Sequence, residues 1–167
     1  MTLHTIPPLY DEKSKILILG SFPSVKSREE GFFYGHPQNR FWKMLSKVFD
    51  MPIPQDKDEK CKLLLSNNLA LWDVIGSCEI VGSSDSSIKN AVPNDLSAIL
   101  DTAKIEKIIL NGKTAERYFN KYLRSTVSVA AVCLPSTSPA NAAWSLDDLV
   151  YVWGSALKNK AGLLHRG

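Results

Sequence analysis

The sequence predicts an α/β fold: a three-layer α/β/α sandwich around a central four-stranded, mostly parallel sheet. Three observations lead there. Four short runs are apolar almost without interruption, the mark of strands covered on both faces. Elsewhere apolar residues recur at three- and four-residue spacing, which marks helices with one inward face. Strand-like and helix-like segments then alternate, as the crossovers of a parallel sheet require.

Lys15–Gly20 reads as the first strand. Arg40–Phe49 follows as a helix with Phe41, Leu45, Val48 and Phe49 along one side, and Asp58–Ser66 as a second carrying Cys61, Leu64 and Leu65. Leu69–Gly76 is the second strand. Asn94 or Asp95 suits the N-cap of a helix that turns Leu96, Ile99 and Leu100 inward. Lys107–Gly112 is the third strand, followed by a helix over Thr114–Leu123 that carries Ala115, Tyr118, Phe119 and Tyr122. Val127–Leu134 is the fourth strand. Ser145–Leu157 is the last helix, with Ser145 as its cap and Leu146, Leu149, Val150, Trp153 and Leu157 at helical spacing. Val25–Phe33 reads as part of a long loop and Ser83–Ser87 as a flexible one.

The 167 residues fit one domain spanning 1–167. A hydrophobic share of 44% supplies a core and excludes disorder as the main state. No apolar run approaches the roughly 18–20 residues of a membrane span, and Met1–Pro8 lacks the basic and apolar regions of a signal peptide. Three dispersed cysteines without a CxxC pair suggest a reducing, cytoplasmic setting. His4, His36 and His165 lack metal-ligand spacing. A monomer is expected, with no membrane partner. The charge of +3 permits nucleic-acid binding without arguing for it.

In parallel sheets ligands bind beyond the carboxyl ends of the strands, here Gly20, Asp73, Asn111 and Leu134. Two loops there are chemically rich. The first runs from Gly20-Ser21-Phe22-Pro23 to Tyr34-Gly35-His36-Pro37-Gln38-Asn39-Arg40-Phe41-Trp42. It is either a packing loop capped by Asn39 or a pocket wall with an aromatic to stack and an amide to position water. The second, Leu134-Pro135-Ser136-Thr137-Ser138-Pro139-Ala140-Asn141, is a stiff turn of small hydroxyl residues. It is either a connection to the last helix or a phosphate grip made of hydroxyl and backbone N–H groups. There is no GxxxxGK[ST] phosphate loop, no GxSxG elbow and no evident Cys–His pair.

Together the two loops resemble the first and second motifs of the uracil-DNA glycosylase superfamily. Gly35–Trp42 is similar to a stretch of its mismatch-specific uracil/thymine members, and the combination most resembles the hypoxanthine-DNA glycosylase branch. Two positions depart from the uracil-specific pattern. Phe22 and Pro23 stand where those enzymes carry a water-activating Asp or Asn, and Leu134 where many carry a His. The resemblance therefore implies a monofunctional glycosylase that removes a deaminated base, hypoxanthine first, from duplex DNA.

It assigns the water-positioning amide to Asn39. Gly20, Ser21, Phe22, Tyr34, His36, Asp73 and Asn111 would line the base, with Asp73 accepting from N1–H of hypoxanthine or, alternatively, capping a turn. His36 would stabilise the leaving base or only fix its turn. Ser136, Thr137, Ser138, Pro139, Ala140 and Asn141 would engage DNA around the flipped nucleotide. Arg40 would neutralise a phosphate or pair with a carboxylate at the edge of the core. Hydrolysis of this kind needs only water, so neither metal nor organic cofactor is implied. The rival readings are a uracil- or xanthine-directed glycosylase, a non-catalytic binder of damaged DNA and a nucleosidase.

Overall fold

A computed structural model describes residues 1–158 of the chain, so His165 lies outside the described residues. The strands are β1 (Thr2–Leu3), β2 (Ile16–Gly20), β3 (Leu69–Asp73), β4 (Ile75–Glu79), β5 (Lys89–Pro93), β6 (Lys107–Asn111) and β7 (Ala131–Leu134). The helices are α1 (Val25–Glu30), α2 (Phe41–Val48), α3 (Lys57–Leu65), α4 (Ser97–Thr102), α5 (Lys113–Tyr122) and α6 (Leu146–Lys158). The central sheet is four-stranded and wholly parallel, in the order β3-β2-β6-β7. Its register sets Gly20 opposite Asp73 and Asn111 opposite Leu134, so the four expected strand ends meet along one rim.

The alternation of side chains divides the core into two layers. Ile18, Leu69, Leu71 and Ile109 pack with Phe41, Leu45, Leu64, Leu149 and Trp153 of α2, α3 and α6. Leu17, Leu19, Ala70, Ile108 and Leu110 face the other way, against Ile99, Ala115 and Phe119 of α4 and α5. Each fully buried Leu or Ile contributes about 1.5–3 kcal/mol relative to exposure. Central strands covered on both sides are therefore apolar at nearly every position, the polar residues standing at their ends.

Three local expectations need correction. Leu69–Gly76 is two strands, because the chain turns at Val74 after leaving the central sheet. β4 then pairs antiparallel with β1 and β5 in a second, three-stranded sheet. The fourth strand begins only at Ala131. Val25–Phe33 is not all loop: Ser24 accepts a capping bond from Ser27 N, and Gly31, at φ +72°, closes α1 through its N–H to Ser27 O. Ser27 is the only buried residue of α1, so the segment has no apolar periodicity to read.

The capping expectations fare differently. Ser145 caps α6 by accepting from Asp148 N, and Asp148 in turn accepts from Ser145 N. Neither Asn94 nor Asp95 is the cap of α4, which is Leu96: Asp95 accepts from Ser97 N and Ser97 Oγ just ahead of the helix, and Asn94 donates to the carbonyls of Asp73 and Ile75.

Candidate functional site

A cleft of about 490 Å³ opens beyond the carboxyl ends of the central strands, within the size range of small-molecule sites. Three of the four strand ends and both sequence-predicted loops line it, through Gly20, Ser21, Phe22, Tyr34, His36, Asn39, Asp73, Asn111, Ser136, Thr137, Ser138, Pro139 and Ala140, while Leu134 does not. Arg40 and Asn141 are not among the lining residues.

The floor is built around Gly20. A Cβ placed there would stand 2.5 Å from Asp73 Oδ1 and 2.9 Å from the Tyr34 hydroxyl, so only glycine lets these two groups close over the strand end. Asp73 is 4% exposed, and its Oδ2 accepts from His4 Nε2 at 2.8 Å. Tyr34 adopts φ +52° and lies on the Phe41 ring, with centroids 4.2 Å apart. Its hydroxyl accepts from Asn111 Nδ2 at 3.0 Å. Burial, then the nearby Asp73 charge, push the Tyr34 pKa far above the ordinary phenol range, while the Asn111 bond opposes the shift. The group is a hydroxyl at any working pH. No acceptor for its proton occurs among the described residues, so that proton is available to a ligand.

Asn111 lines the cleft as expected and also bonds within the protein. Its Nδ2 donates to both the Tyr34 hydroxyl and Thr137 Oγ1 (3.1 Å), and its Oδ1 accepts from Thr137 N (3.0 Å). Both amide hydrogens are thus committed to the protein, and the side chain latches the second loop to Tyr34. Gly112, at φ +98°, lets that loop approach: a Cβ there would lie 2.9 Å from Ser136 Cβ.

Arg40 pairs with no carboxylate among the described residues. Its guanidinium donates to the carbonyls of Thr137, Ser138, Asn141 and Trp144, which fixes the second loop from beneath. Trp153 Nε1 adds a bond to Pro135 O, and Asn141 Nδ2 one to Ser136 O. Ser136 Oγ accepts from Ser138 N, and Ser138 Oγ from Ala140 N. These bonds use the hydroxyl oxygens as acceptors and leave their protons to donate outward.

Asn39 stands one residue before the cap position Arg40; its Oδ1 accepts from Phe41 N at 2.9 Å, and it also lines the cleft. An amide oxygen has two lone pairs, so one remains. His36 Nδ1 accepts from Gln38 N at 3.1 Å, which fixes the turn and leaves Nε2 as the ring's free donor.

Two cleft features escape the sequence reading. His4 comes from the far N-terminus, and no short-range pattern ties it to Asp73. Ser83–Ser87 is not a free loop: it carries a 3₁₀ turn over Asp85–Ser87, and Ser83, Ser84, Asp85 and Ser86 line the cleft. Ser21 Oγ donates to Asp85 Oδ1 (3.1 Å), Val25 N to Ser83 Oγ (2.8 Å) and Arg28 to Gly82 O (2.6 Å). Asp85 remains exposed, but partial desolvation beside the cleft raises its pKa; bonds from Ser21 and Thr114 oppose this, and the Asp73 charge adds to it. The sequence signal was a lone carboxylate among serines ahead of Ile88, which is no more than a linker also shows.

No described helix is long and apolar enough to cross a membrane. The sequence model of the uracil DNA glycosylase superfamily matches residues 7–156. A hypoxanthine DNA glycosylase of Methanosarcina acetivorans is 35% identical over 142 residues, 83% of this chain and 88% of that protein. One of Methanosarcina barkeri is 35% identical over 114 residues, 67% of this chain and 72% of that protein. The solution NMR structure of a Methanosarcina acetivorans protein provisionally described as a uracil DNA glycosylase superposes with a TM-score of 0.77. It is 32% identical, with 92% of this chain and 94% of that chain covered.

Proposed function

Because this chain belongs to the uracil DNA glycosylase superfamily, and so is a DNA glycosylase, we propose that it removes hypoxanthine from deoxyinosine in duplex DNA. The observation that carries the proposal is the pair over Gly20: an acceptor, Asp73 Oδ1, beside a donor, the Tyr34 hydroxyl. Hypoxanthine has the complementary edge, with N1–H donating and O6 accepting. Adenine has the reverse edge, N1 accepting and N6–H donating, and would leave both buried groups unpaired. Deamination is the change that turns one edge into the other. Uracil and xanthine have the same lactam edge, so they are the second reading. Kinship to two proteins named hypoxanthine DNA glycosylase favours the first.

The chemistry follows from these residues. The nucleotide leaves the stack, at a cost of a few kcal/mol that is least at a mispair. The C1′–N9 bond breaks and its electron pair departs with the base, while positive charge develops on the sugar. The Tyr34 hydroxyl at O6 and the His36 Nε2–H stabilise the charge gathering on the base. Asn39, through its spare lone pair, holds the water whose oxygen bonds to C1′ and whose proton passes to solvent. The free hydroxyl protons of Ser136 and Ser138 hold flanking phosphates.

The test is base release from duplexes that differ only in carrying deoxyinosine, deoxyuridine or deoxyxanthosine, for wild type and Asn39→Ala. Hypoxanthine release that falls about 100-fold or more in the variant is expected. Release of uracil or xanthine alone would overturn the substrate, and a fully active variant would overturn the role of Asn39.

A further inference from the structure

His4 has no place in the chemistry above, yet its side chain is fully enclosed beside the cleft. Its side chain is 0% exposed. β1 brings it there by pairing with β4, Thr2 opposite Cys78 and Leu3 opposite Ser77, and His4 N continues the contact to Gly76 O (2.8 Å). The ring sits among Phe22 (6.0 Å between centroids), Phe33 (6.3 Å) and Trp72 (5.9 Å). Its Nδ1 is buried with no hydrogen-bond partner among the described residues. A phenyl ring would fill the same box without leaving a nitrogen bare, so packing alone does not account for an imidazole.

The other nitrogen does account for it. Among the described residues, Nε2 supplies the one hydrogen bond to the Asp73 carboxylate. The terminal torsion of an Asp side chain is broad, so a carboxylate without a partner would not present one fixed oxygen. We propose that His4 is a positioning residue for base recognition: Nε2 holds Asp73 Oδ2 from behind, so that Oδ1 faces the flipped base at a fixed angle beside the Tyr34 hydroxyl. The proposal rests on reading Asp73 as the acceptor for the base edge, and it makes the N-terminal strand part of the selectivity apparatus.

The experiment is a double-mutant cycle in the full chain: His4→Phe and His4→Gln, each alone and with Asp73→Asn. Single-turnover hypoxanthine release is measured against enzyme concentration, with thermal melts of every variant. His4→Phe should lower the maximal rate about tenfold or more, with little change in the half-saturating concentration. His4→Gln, whose amide nitrogen reaches the Nε2 position, should recover the rate to within about threefold. In the Asp73→Asn background His4→Phe should cost less than about twofold further.

A wild-type rate in His4→Phe, or an equal fold loss in both backgrounds, overturns the proposal. If His4→Phe does not fold, His4→Asn replaces it. Its shorter amide falls short of Asp73, so equal rates for His4→Asn and His4→Gln also overturn the proposal. Should the wild type release uracil and not hypoxanthine, the substrate reading fails, and the same cycle run on uracil still decides the role of His4. Should it release neither, the preference of each variant for lesion over undamaged duplex decides it, with an unchanged preference in the His4 variants counting against the proposal.

Discussion

Replacing Tyr34 by Phe removes one oxygen and leaves the rest of the floor in place. The ring still lies on Phe41 at 4.2 Å, and the left-handed backbone at φ +52° is no worse for Phe than for Tyr. Inside the protein the loss is one hydrogen bond, from Asn111 Nδ2. Its other hydrogen and its oxygen remain bound to Thr137. A neutral bond of this kind contributes about 0.5–1.5 kcal/mol net. For a chain of this length that lowers Tm by only roughly 1–6 °C. Catalysis should suffer more. The hydroxyl proton is proposed to meet O6 as charge collects there, and hydrogen bonds to charged groups contribute about 1.5–3 kcal/mol. At 1.36 kcal/mol per tenfold, the rate of hypoxanthine release should fall roughly 10- to 150-fold. Single-turnover release from a deoxyinosine duplex, with a melt on the same preparation, measures both quantities. A Tyr34→Phe protein that releases hypoxanthine at the wild-type rate would refute the donor–acceptor argument. A Tm loss well beyond that range would mean that the hydroxyl is chiefly structural.

Two further outcomes are expected. Arg40→Met keeps the aliphatic stem but frees the carbonyls of Thr137, Ser138, Asn141 and Trp144. Tm should fall by roughly 6–12 °C, for a loss on the order of 3 kcal/mol, while the salt dependence of DNA affinity stays as in wild type. A slope reduced by about one would mean that Arg40 touches a phosphate after all. Asp85→Asn tests the cleft carboxylate. Its pKa is raised in the folded chain, so the folded state binds a proton more tightly than the unfolded state, and wild-type stability falls as pH rises through the raised value. The variant should therefore melt higher than wild type at pH 7, and the gap should close below pH of about 4, the ordinary carboxylate range. A wild type that melts higher at pH 7, or a gap equal at both pH values, would overturn this account of Asp85.

The central sheet was legible because burial on both faces leaves its mark on every residue: Ile16–Gly20 and Lys107–Asn111 are apolar nearly throughout. The second sheet was not. β1 is two residues long, and the β4–β5 pairing shifts register twice, so neither shows the regular alternation that betrays a half-buried strand. The lining of the cleft divides in the same way. Asn39, Tyr34 and the 134–141 loop announce themselves as unusual runs at strand ends. The tasks of Arg40 and Asn111 did not, because side-chain bonds to distant backbone leave no trace in local spacing. His4 and Asp85 were hidden for the same reason: their partners, Asp73 and Ser21, are more than sixty positions away in the chain.

The interior position of β2 has a consequence for how the molecule comes into being. β2 takes its neighbours from β3 and β6, and β7 joins only through β6. A chain emerging from the ribosome holds the Gly20 end of the cleft early, with no strand beside it until Leu69 appears and none on its other edge until Lys107. The loop at Pro135 gains its Trp153 bond only when the last described helix has been made. Long-range parallel pairing of this kind is slow to nucleate. The cleft is therefore among the last features to form, because its two walls come from opposite ends of the chain.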